Sequence, residues 1–318
     1  TLSASGTTED VFIAKFDPIG NFVWAKQLDG TGDDRAFSIV LDNIGNIYIG
    51  GQFIGTCDFD PSGSVYNLFS AGGTQEDAFF LNLDPSGNFI LGKQIGSTLP
   101  DYCYDVAIDA SNNCYFTGSY RGTVDFDPGV GTFNLNAPFS PQTFALKLDF
   151  NGNFVWATTF DSPISSVNIG KSICVDIFNN VIITGYFNGT TDFDPSATTY
   201  TLSAVQGAFV SKLDNLGNFV WAKSFNSSSS IEGNSIASDN NGNVYTTGHF
   251  RNTVDFDPNA SAYTLNSTSS GAYGDVFVSK LDKFGNFKWA KQLGGNSSMS
   301  NPYSLILDNF AGIYIACM

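Results

Sequence analysis

Basic residues are scarce in this chain. Its 318 residues include 14 Lys and Arg against 30 Asp and Glu, with one histidine, for a net charge of −16. Such an acidic surface repels phosphate backbones, so nucleic acid is not expected as a partner. The single histidine, His249, leaves one possible imidazole base and too few ligands for a zinc site. A histidine-dependent hydrolase and a zinc enzyme are therefore disfavoured.

Cysteines and long apolar runs are also few. The five cysteines share no repeated spacing and form no CxxC pair, so we interpret them as small buried apolar residues rather than as a disulfide framework. The sequence contains no run of 18 apolar residues, so membrane insertion is not expected. The chain starts at Thr1 without a methionine, which suggests a piece of a longer polypeptide, and within it we expect a monomeric domain.

Repetition is what the chain has in abundance. Variants of the phrase GNFVWAK occur at 20–26, 87–93, 152–158, 217–223 and 285–291, which gives a period of 65 to 68 residues. A second phrase, DFDP, occurs at 58–61, 125–128, 192–195 and 255–258. A fixed long period indicates one structural unit copied along the chain.

One period contains four strand-length runs. We label them A (36–41), B (47–53), C (77–83) and D (89–95), and each is rich in Ile, Val, Phe and Tyr. An Asp-x-x-Gly-Asn phrase, as at Asp42–Asn46 and Asp84–Asn88, joins A to B and C to D. The Asp accepts local N–H groups, and the Gly takes the positive φ that closes a hairpin. Four antiparallel strands at this period predict a β-propeller blade.

The two ends of the chain predict how the ring closes. Residues 10–28 fit strands C and D, whereas 303–318 fit strands A and B. We therefore predict an all-β fold, a single five-bladed β-propeller over 1–318, closed by pairing the N-terminal C–D hairpin with the C-terminal A–B hairpin. The blades are expected at 36–95, 103–160, 171–225 and 234–293, and at 303–318 combined with 10–28.

The repeated phrases resemble the SBBP repeats of secreted bacterial β-propellers, found in surface proteins of Bacteroidetes. The matching text includes TGSYRGTVDFDPG at 117–129 and DVFVSKLDKFGNFKWAKQLGG at 275–295. The resemblance implies a β-propeller at the cell surface or outside the cell, with export of the type IX kind, and it contributes no catalytic residue. The family name implies seven blades, whereas the spacing in this chain predicts five.

The DFDP phrase has two interpretations. An extended backbone points both carboxylates of each phrase to one side, which would suit Ca²⁺ as the one cofactor worth considering. Alternatively, the phrase starts a turn while its Phe fills the core, and a later segment such as 66–68 or 263–265 pairs back as a surface hairpin. The candidate metal ligands are Asp58, Asp60, Asp125, Asp127, Asp192, Asp194, Asp255 and Asp257.

We expect a non-enzymatic binding or structural module, adhesin-like, with a glycan or a surface protein as its partner. Its contacts would lie on the face of the B–C and D–A loops, where equivalent loops present similar shallow sites. The alternative is a glycoside-active enzyme that uses irregular acids at or near the D–A connections, around the central funnel, with Asp33, Asp105 and Glu232 as candidates. The candidate ligand-binding aromatics are Tyr66, Phe133, Tyr200 and Tyr263.

Overall fold

The computed structural model describes residues 8–163, 166–259, 261–267, 274–294 and 302–317. Within these ranges the chain forms twenty-five β-strands and no helix, and every strand pairing with a described register is antiparallel. The prediction of an all-β fold is therefore confirmed. Accordingly, these residues contain no helix that is long and apolar enough to cross a membrane.

Contacts divide the chain into two compact units. Unit 1 holds the residues up to Phe139 together with Leu146–Ala157, and unit 2 holds Ser140–Ala145 together with the residues from Thr158 onward. The single domain over 1–318 stays a prediction, and its extreme ends, 1–7 and 318, lie outside the described residues.

Unit 1 begins with a two-stranded hairpin and continues with the first complete repeat. The hairpin, which we call the N-terminal hairpin, pairs β1 (Phe12–Phe16) with β2 (Phe22–Gln27). A short three-stranded sheet contains β3 (Asp29–Gly30), β6 (Thr56–Asp58) and β7 (Asn67–Phe69). Repeat 1 is a four-stranded sheet of β4 (Arg35–Leu41), β5 (Ile47–Ile54), β8 (Glu76–Leu83) and β9 (Phe89–Ile95), in that order. These bounds match the predicted strands A to D within one residue.

Repeat 2 has the same strand order, and the division between the two units passes through it. Its strands are β10 (Tyr102–Ile108), β11 (Cys114–Asp125), β12 (Asn134–Leu148) and β13 (Phe154–Thr159). Strands β11 and β12 are long because they continue into the B–C connection.

Unit 2 contains two further repeats and a C-terminal hairpin. Repeat 3 comprises β14 (Asn168–Val175), β15 (Val181–Asp192), β16 (Thr201–Leu213) and β17 (Phe219–Ser227). Repeat 4 comprises β18 (Ile231–Ser238), β19 (Val244–Phe250), β22 (Asp275–Leu281) and β23 (Phe287–Leu293), and its small hairpin of β20 (Thr253–Asp255) and β21 (Thr264–Asn266) extends the sheet of repeat 3. The C-terminal hairpin pairs β24 (Pro302–Leu307) with β25 (Ile313–Cys317).

The Asp-x-x-Gly-Asn turns form as predicted. In the first one, Asp17 Oδ1 accepts the N–H groups of Ile19 and Asn21 at 3.0 and 2.8 Å, and Gly20 has a φ of 87°. Three turns lack the glycine, and there the positive φ, between 61° and 62°, falls on Asn112, Asn179 and Ala311. The repeated phrase is therefore a backbone device that closes hairpins.

Every strand A carries a β-bulge. The register shifts at one residue in each, and these bulged residues are Phe37, Tyr104, Lys171, Asn234 and Tyr303. The partner strand B supplies a glycine nearby, since a Cβ atom on Gly51, Gly185 or Gly248 would collide with a carbonyl oxygen of strand A. A bulge re-aims the extra side chain, so this position is free to vary between repeats.

The core of each repeat is aromatic. In repeat 1, the Phe59 ring lies 4.9 Å from Phe79 and 5.3 Å from Phe53, and repeat 4 reproduces this packing with Phe256. All four DFDP phenylalanines are fully buried: Phe59, Phe126, Phe193 and Phe256. The prediction that the phrase places its Phe in the core is confirmed.

Serine hydroxyls connect successive strands A within each unit. In unit 1, Ser38 Oγ accepts the N–H of Val106 at 3.3 Å. In unit 2, Ser172 Oγ accepts the N–H of Ile236 at 3.2 Å, and Ser235 Oγ accepts that of Leu305 at 3.0 Å. In repeats 1, 3 and 4 a serine hydroxyl therefore accepts a backbone N–H that the bulged ladder leaves without a partner.

Candidate functional site

The two aspartates of DFDP hold the B–C turn. Asp58 Oδ1 accepts the N–H groups of Asp60 and Tyr66 at 3.0 and 2.8 Å, and Asp60 Oδ1 accepts that of Ser62 at 2.9 Å. The same bonds recur at the other three phrases. One oxygen of each carboxylate is therefore engaged by the backbone, as the turn interpretation requires.

The segment after DFDP pairs back as a surface hairpin, which confirms that part of the interpretation. Cys57 faces Leu68 in β6–β7, and Val254 faces Leu265 in β20–β21. The sequence did not predict that these hairpins also join strand D of the preceding repeat or the short strand that follows it. Asn226 of β17 faces Asp255, and Asp29 of β3 faces Asp58. Each hairpin thereby ties its own repeat to the one before it.

Lysines of strand D contribute to the same connection. Lys26 Nζ donates to Pro61 O at 3.5 Å, Lys93 Nζ donates to Pro128 O at 3.3 Å, and Lys223 Nζ donates to Asn259 Oδ1 at 3.5 Å. In each case the acceptor lies in the DFDP turn of the following repeat. These lysines therefore make a specific contact between successive repeats.

The calcium hypothesis concerns the remaining carboxylate oxygens. A surface cleft of about 310 Å³ is lined by Asp29, Asp58 and Asp60. Over the residues that the structure covers, however, no group of three or more His, Cys, Asp or Glu side chains has the geometry to hold a metal ion. Calcium binding stays a prediction.

The four candidate aromatics pack in the same way. Each ring lies beside the Phe that opens strand D of its own repeat, at a centroid distance of 4.6 to 4.9 Å and an angle of 34° to 40°. Three of them remain 37% to 39% exposed. One side of each ring is thus covered and another is open to solvent. The four pairs are Tyr66–Phe89, Phe133–Phe154, Tyr200–Phe219 and Tyr263–Phe287.

Two acidic candidates lie in unit 1. Asp33 is in the D–A connection, where its Oδ1 accepts the N–H of Glu9 at 3.0 Å and its Oδ2 lies 3.9 Å from Arg35 Nη2. Asp105 lies inside strand β10, which begins at Tyr102 directly after the D–A connection. It takes the place that a serine holds in the other strands A, and it accepts a hydrogen bond from Ser38 Oγ at 2.6 Å.

The third acidic candidate, Glu232, also lies inside a strand A, in β18 of unit 2. It faces the buried His249 across the β18–β19 ladder, so the structure brings these two irregular residues together. Burial raises the pKa of Glu232 and lowers that of Lys171, and each charge opposes the shift of the other. Burial and the Glu232 charge raise the pKa of Tyr186 to about 12, and its ring lies 5.8 Å from Lys171 Nζ. The sequence did not single out Lys171 or Tyr186.

Two further irregular acids, Asp34 and Asp101, are buried just before strand A. Asp34 Oδ1 accepts the N–H of Ile54 at 3.3 Å, and Asp101 accepts those of Arg121 and Ser97 at 3.0 and 2.7 Å. Burial raises the pKa of both carboxyls to about 7. Both lie eight residues before the turn aspartate of their hairpin, so they occupy the same position in successive repeats. Backbone N–H groups hold both carboxyls in place, which indicates a structural role.

Comparison with known proteins identifies the class. Residues 216–249 match the SBBP beta-propeller repeat family, so the resemblance seen in the sequence is confirmed for that repeat. Together with the strand pattern, this match defines an all-β protein that contains a β-propeller repeat.

Two individual proteins show similarity to this chain. An uncharacterised WD repeat-containing protein of Acanthamoeba polyphaga mimivirus is 25% identical over 242 residues, which are 68% of this chain and 17% of that protein. The chain thus spans about a sixth of that relative's length. A solved structure of a protein of unknown function from Bacteroides caccae is 10% identical with a TM-score of 0.40, over 75% of this chain and 61% of that one.

Proposed function

We propose that this chain is a non-enzymatic binding module of the cell surface or the extracellular space. Its ligand is a glycan or a surface protein, bound at the loops that carry the four aromatic pairs. The observation that carries the proposal is the equivalence of those pairs: the same half-exposed ring stands beside the same acidic turn in four repeats. Four similar shallow sites bind a repetitive ligand through avidity.

Alanine substitution of the open ring tests this proposal. Tyr200→Ala should weaken binding to a glycan array or to a glycan-coated surface slightly, whereas the quadruple variant that also replaces Tyr66, Phe133 and Tyr263 should lose most of it. Phe150→Ala removes an exposed aromatic from a tight turn and is the matched control. Binding by the quadruple variant at the level of the unchanged protein contradicts the proposal.

Glycoside hydrolysis is the second candidate, and the observation that favours it is Glu232. A carboxyl group whose pKa is raised by burial is suited to act as a general acid. Hydrolysis of oligosaccharides that is abolished by Glu232→Gln, and reduced by Asp33→Asn or Asp105→Asn, would replace the binding proposal with an enzyme. No hydrolysis by the unchanged protein would end this candidate.

We also propose that the repeats form a five-bladed ring, in which the C-terminal hairpin completes a blade with the N-terminal hairpin. The exposure of residues at two recurring positions supports this closure. Phe12 is 71% exposed, whereas its counterparts Phe79, Phe144, Phe209 and Phe277 are at most 2% exposed. Ile39 is 59% exposed, whereas its counterparts Val106, Ile173, Ile236 and Leu305 are 3% to 5% exposed. An A–B hairpin would cover both residues.

A disulfide tests this closure. By the register of Gly51 with Phe79 in repeat 1, Cys317 should face residue 12. Phe12→Cys should therefore oxidise with the native Cys317 within one chain, since facing positions in a sheet suit a disulfide. Lys15→Cys, three residues away, is the control that should not. A disulfide between two chains, or none, contradicts the closure.

Location and calcium are part of the proposal. Export follows from the repeat resemblance, and detection of the native protein only in the cytoplasm would overturn it. For calcium, we expect a rise in melting temperature on addition of Ca²⁺ that EDTA reverses and that is smaller in Asp58→Asn. No shift with Ca²⁺ removes the metal from the proposal.

A further inference from the structure

We propose that strands β4 and β10 of unit 1 carry a second ligand site, an aromatic row that binds a neutral oligosaccharide. This inference rests on the proposed function as far as the ligand is a glycan, but it places the contact on strands A rather than on the B–C loops. The row consists of Phe37, Tyr104 and Tyr102.

The three rings form a continuous apolar surface. The centroids of Phe37 and Tyr104 are 5.6 Å apart with an angle of 46° between the rings. Tyr104 and Tyr102 are also 5.6 Å apart, but nearly parallel, at 8°. Phe37 is 43% exposed and both tyrosines are half-buried. Rings that support each other in this way are held rigidly, which lowers the entropic cost of stacking a ligand on them.

A polar group borders the row. Arg35, two residues before Phe37, bonds through Nε to Glu9 Oε2 at 2.6 Å and has Nη2 3.9 Å from Asp33 Oδ2. All three side chains are about half exposed or more. Burial, and then the charge of Glu76, raise the pKa of Tyr102, so another carboxylate lies near this phenol. Hydrogen-bond donors and acceptors thus stand beside an apolar surface, as at a small-ligand site.

The fold does not require aromatic residues here. Phe37 and Tyr104 are the bulged residues of their strands, and the same position holds Lys171 and Asn234 in repeats 3 and 4 and Tyr303 in the C-terminal hairpin. Position 102 is occupied by Ile169 in repeat 3 and by Glu232 in repeat 4. Since the bulge forms with Lys171 or Asn234 as well, the repeat does not require the aromatic row.

Charge and hydrogen bonding together favour a neutral oligosaccharide. An anion would meet Glu9, Asp33 and a chain of net charge −16. A quaternary ammonium ion could stack on the rings, but it would leave the hydrogen-bonding groups of Arg35, Glu9 and Asp33 without a partner in the ligand. The hydroxyl groups of an oligosaccharide accept from Arg35 and donate to the carboxylates, while its C–H faces lie against the rings.

Titration of an array of neutral oligosaccharides, including cellohexaose, maltohexaose and chitohexaose, tests the site. Phe37→Ala and Tyr102→Ala should each weaken binding of the strongest array member about tenfold, which is the effect expected for one lost aromatic contact. Arg35→Gln should weaken it less. The matched control is Phe284→Ala, an exposed aromatic in a tight turn of unit 2, which should bind normally. Melting temperatures establish that each variant is folded.

The outcomes separate this inference from the loop proposal. Unchanged affinity in Phe37→Ala and Tyr102→Ala, with loss in the quadruple loop variant, overturns the aromatic row and leaves the loop sites standing. Loss in the row variants alone supports the row and contradicts the loops. Binding of tetramethylammonium but of no oligosaccharide, or no binding of any kind, overturns the inference.

Discussion

Strand β4 of the first repeat and strand β18 of the fourth have the same bulge, followed directly by the same serine, yet their surroundings differ. The amide of Ile236 in β18 is bonded to Ser172 of the preceding strand A, and its side chain is buried. Ile39, at the same position in β4, is exposed. A repeat therefore forms its own hairpins and bulge, whereas burial of its strand A depends on a neighbouring A–B hairpin.

The largest effect on stability should come from truncating the side chain at the position shared by Ile39 and Ile236. Ile236→Ala should lower the free energy of unfolding by about 2–4 kcal/mol, because it leaves a cavity in a packed core. If the C-terminal hairpin covers β4, as proposed, Ile39→Ala should cost nearly as much. Chemical denaturation of both variants measures the difference. A loss close to zero for Ile39→Ala, beside a full loss for Ile236→Ala, would show that β4 stays uncovered in solution.

Replacing a buried acid should change the pH dependence of stability. Burial raises the pKa of Asp34 to about 7 in the folded state, against a usual value near 3.8. Between about pH 4 and 7 the folded state therefore binds more protons, so stability should fall as the pH rises through this interval. Asp34→Asn should remove that fall and should raise stability at pH 8 by roughly 1–3 kcal/mol.

Repeat 3 indicates that an amide fits this position. Asn168 occupies the same column and bonds through its side chain to Thr143, Phe160 and Ser162. Urea denaturation at several pH values is the measurement, with Asp33→Asn as the control for loss of one nearby negative charge. An unaltered pH profile in Asp34→Asn would mean that another group, such as Asp101, dominates the titration.

The inter-repeat hydroxyls provide a finer comparison. Ser172→Ala and Ser235→Ala should each cost about 1 kcal/mol, the usual net value of one hydrogen bond, since each leaves a backbone N–H without its acceptor. Ser304 is the corresponding residue of the C-terminal hairpin. Under the closure proposal its hydroxyl accepts from Ile39, so Ser304→Ala should cost the same. Ser86→Ala, in an exposed turn, is the control, and equal values for Ser86 and Ser304 would count against closure.

Much of this fold could be predicted from the sequence because each repeat contains the same local structural signals. The Asp and Gly of each turn, the alternating apolar residues and the Phe of DFDP act locally, so their positions predicted strands and turns within about one residue. The inter-repeat contacts were not readable, because Lys26 with Pro61 and Ser38 with Val106 join residues 35 and 68 positions apart. The bulge was not predicted either, although the recurring glycine of strand B is a sequence signal for it.

The candidate site also combines features that could be predicted from the sequence with features that could not. The aromatic positions could be predicted, since Tyr66 and its counterparts recur with the period. The pairing of Glu232 with His249, and the row from Phe37 to Tyr102, depend on which positions the bulge re-aims. The role of a residue that departs from the repeat cannot be predicted until the strand geometry is known.

The smallest effect concerns the last A–B turn. Ala311 holds a φ of 61° at the position where Gly45 has 89° in the first A–B turn. A left-handed Ala costs about 1 kcal/mol, whereas a glycine there loses roughly 0.4–1 kcal/mol through the entropy of the unfolded chain. Ala311→Gly should therefore gain at most about 0.5 kcal/mol, and the reverse change Gly45→Ala should lose about the same amount. Thermal denaturation compares the two. Because Ala311 affects only its own hairpin, a gain in global stability requires that β24 and β25 unfold together with the rest of the protein, as a hairpin built into a closed ring must. A frayed hairpin would leave the melting temperature of Ala311→Gly unchanged.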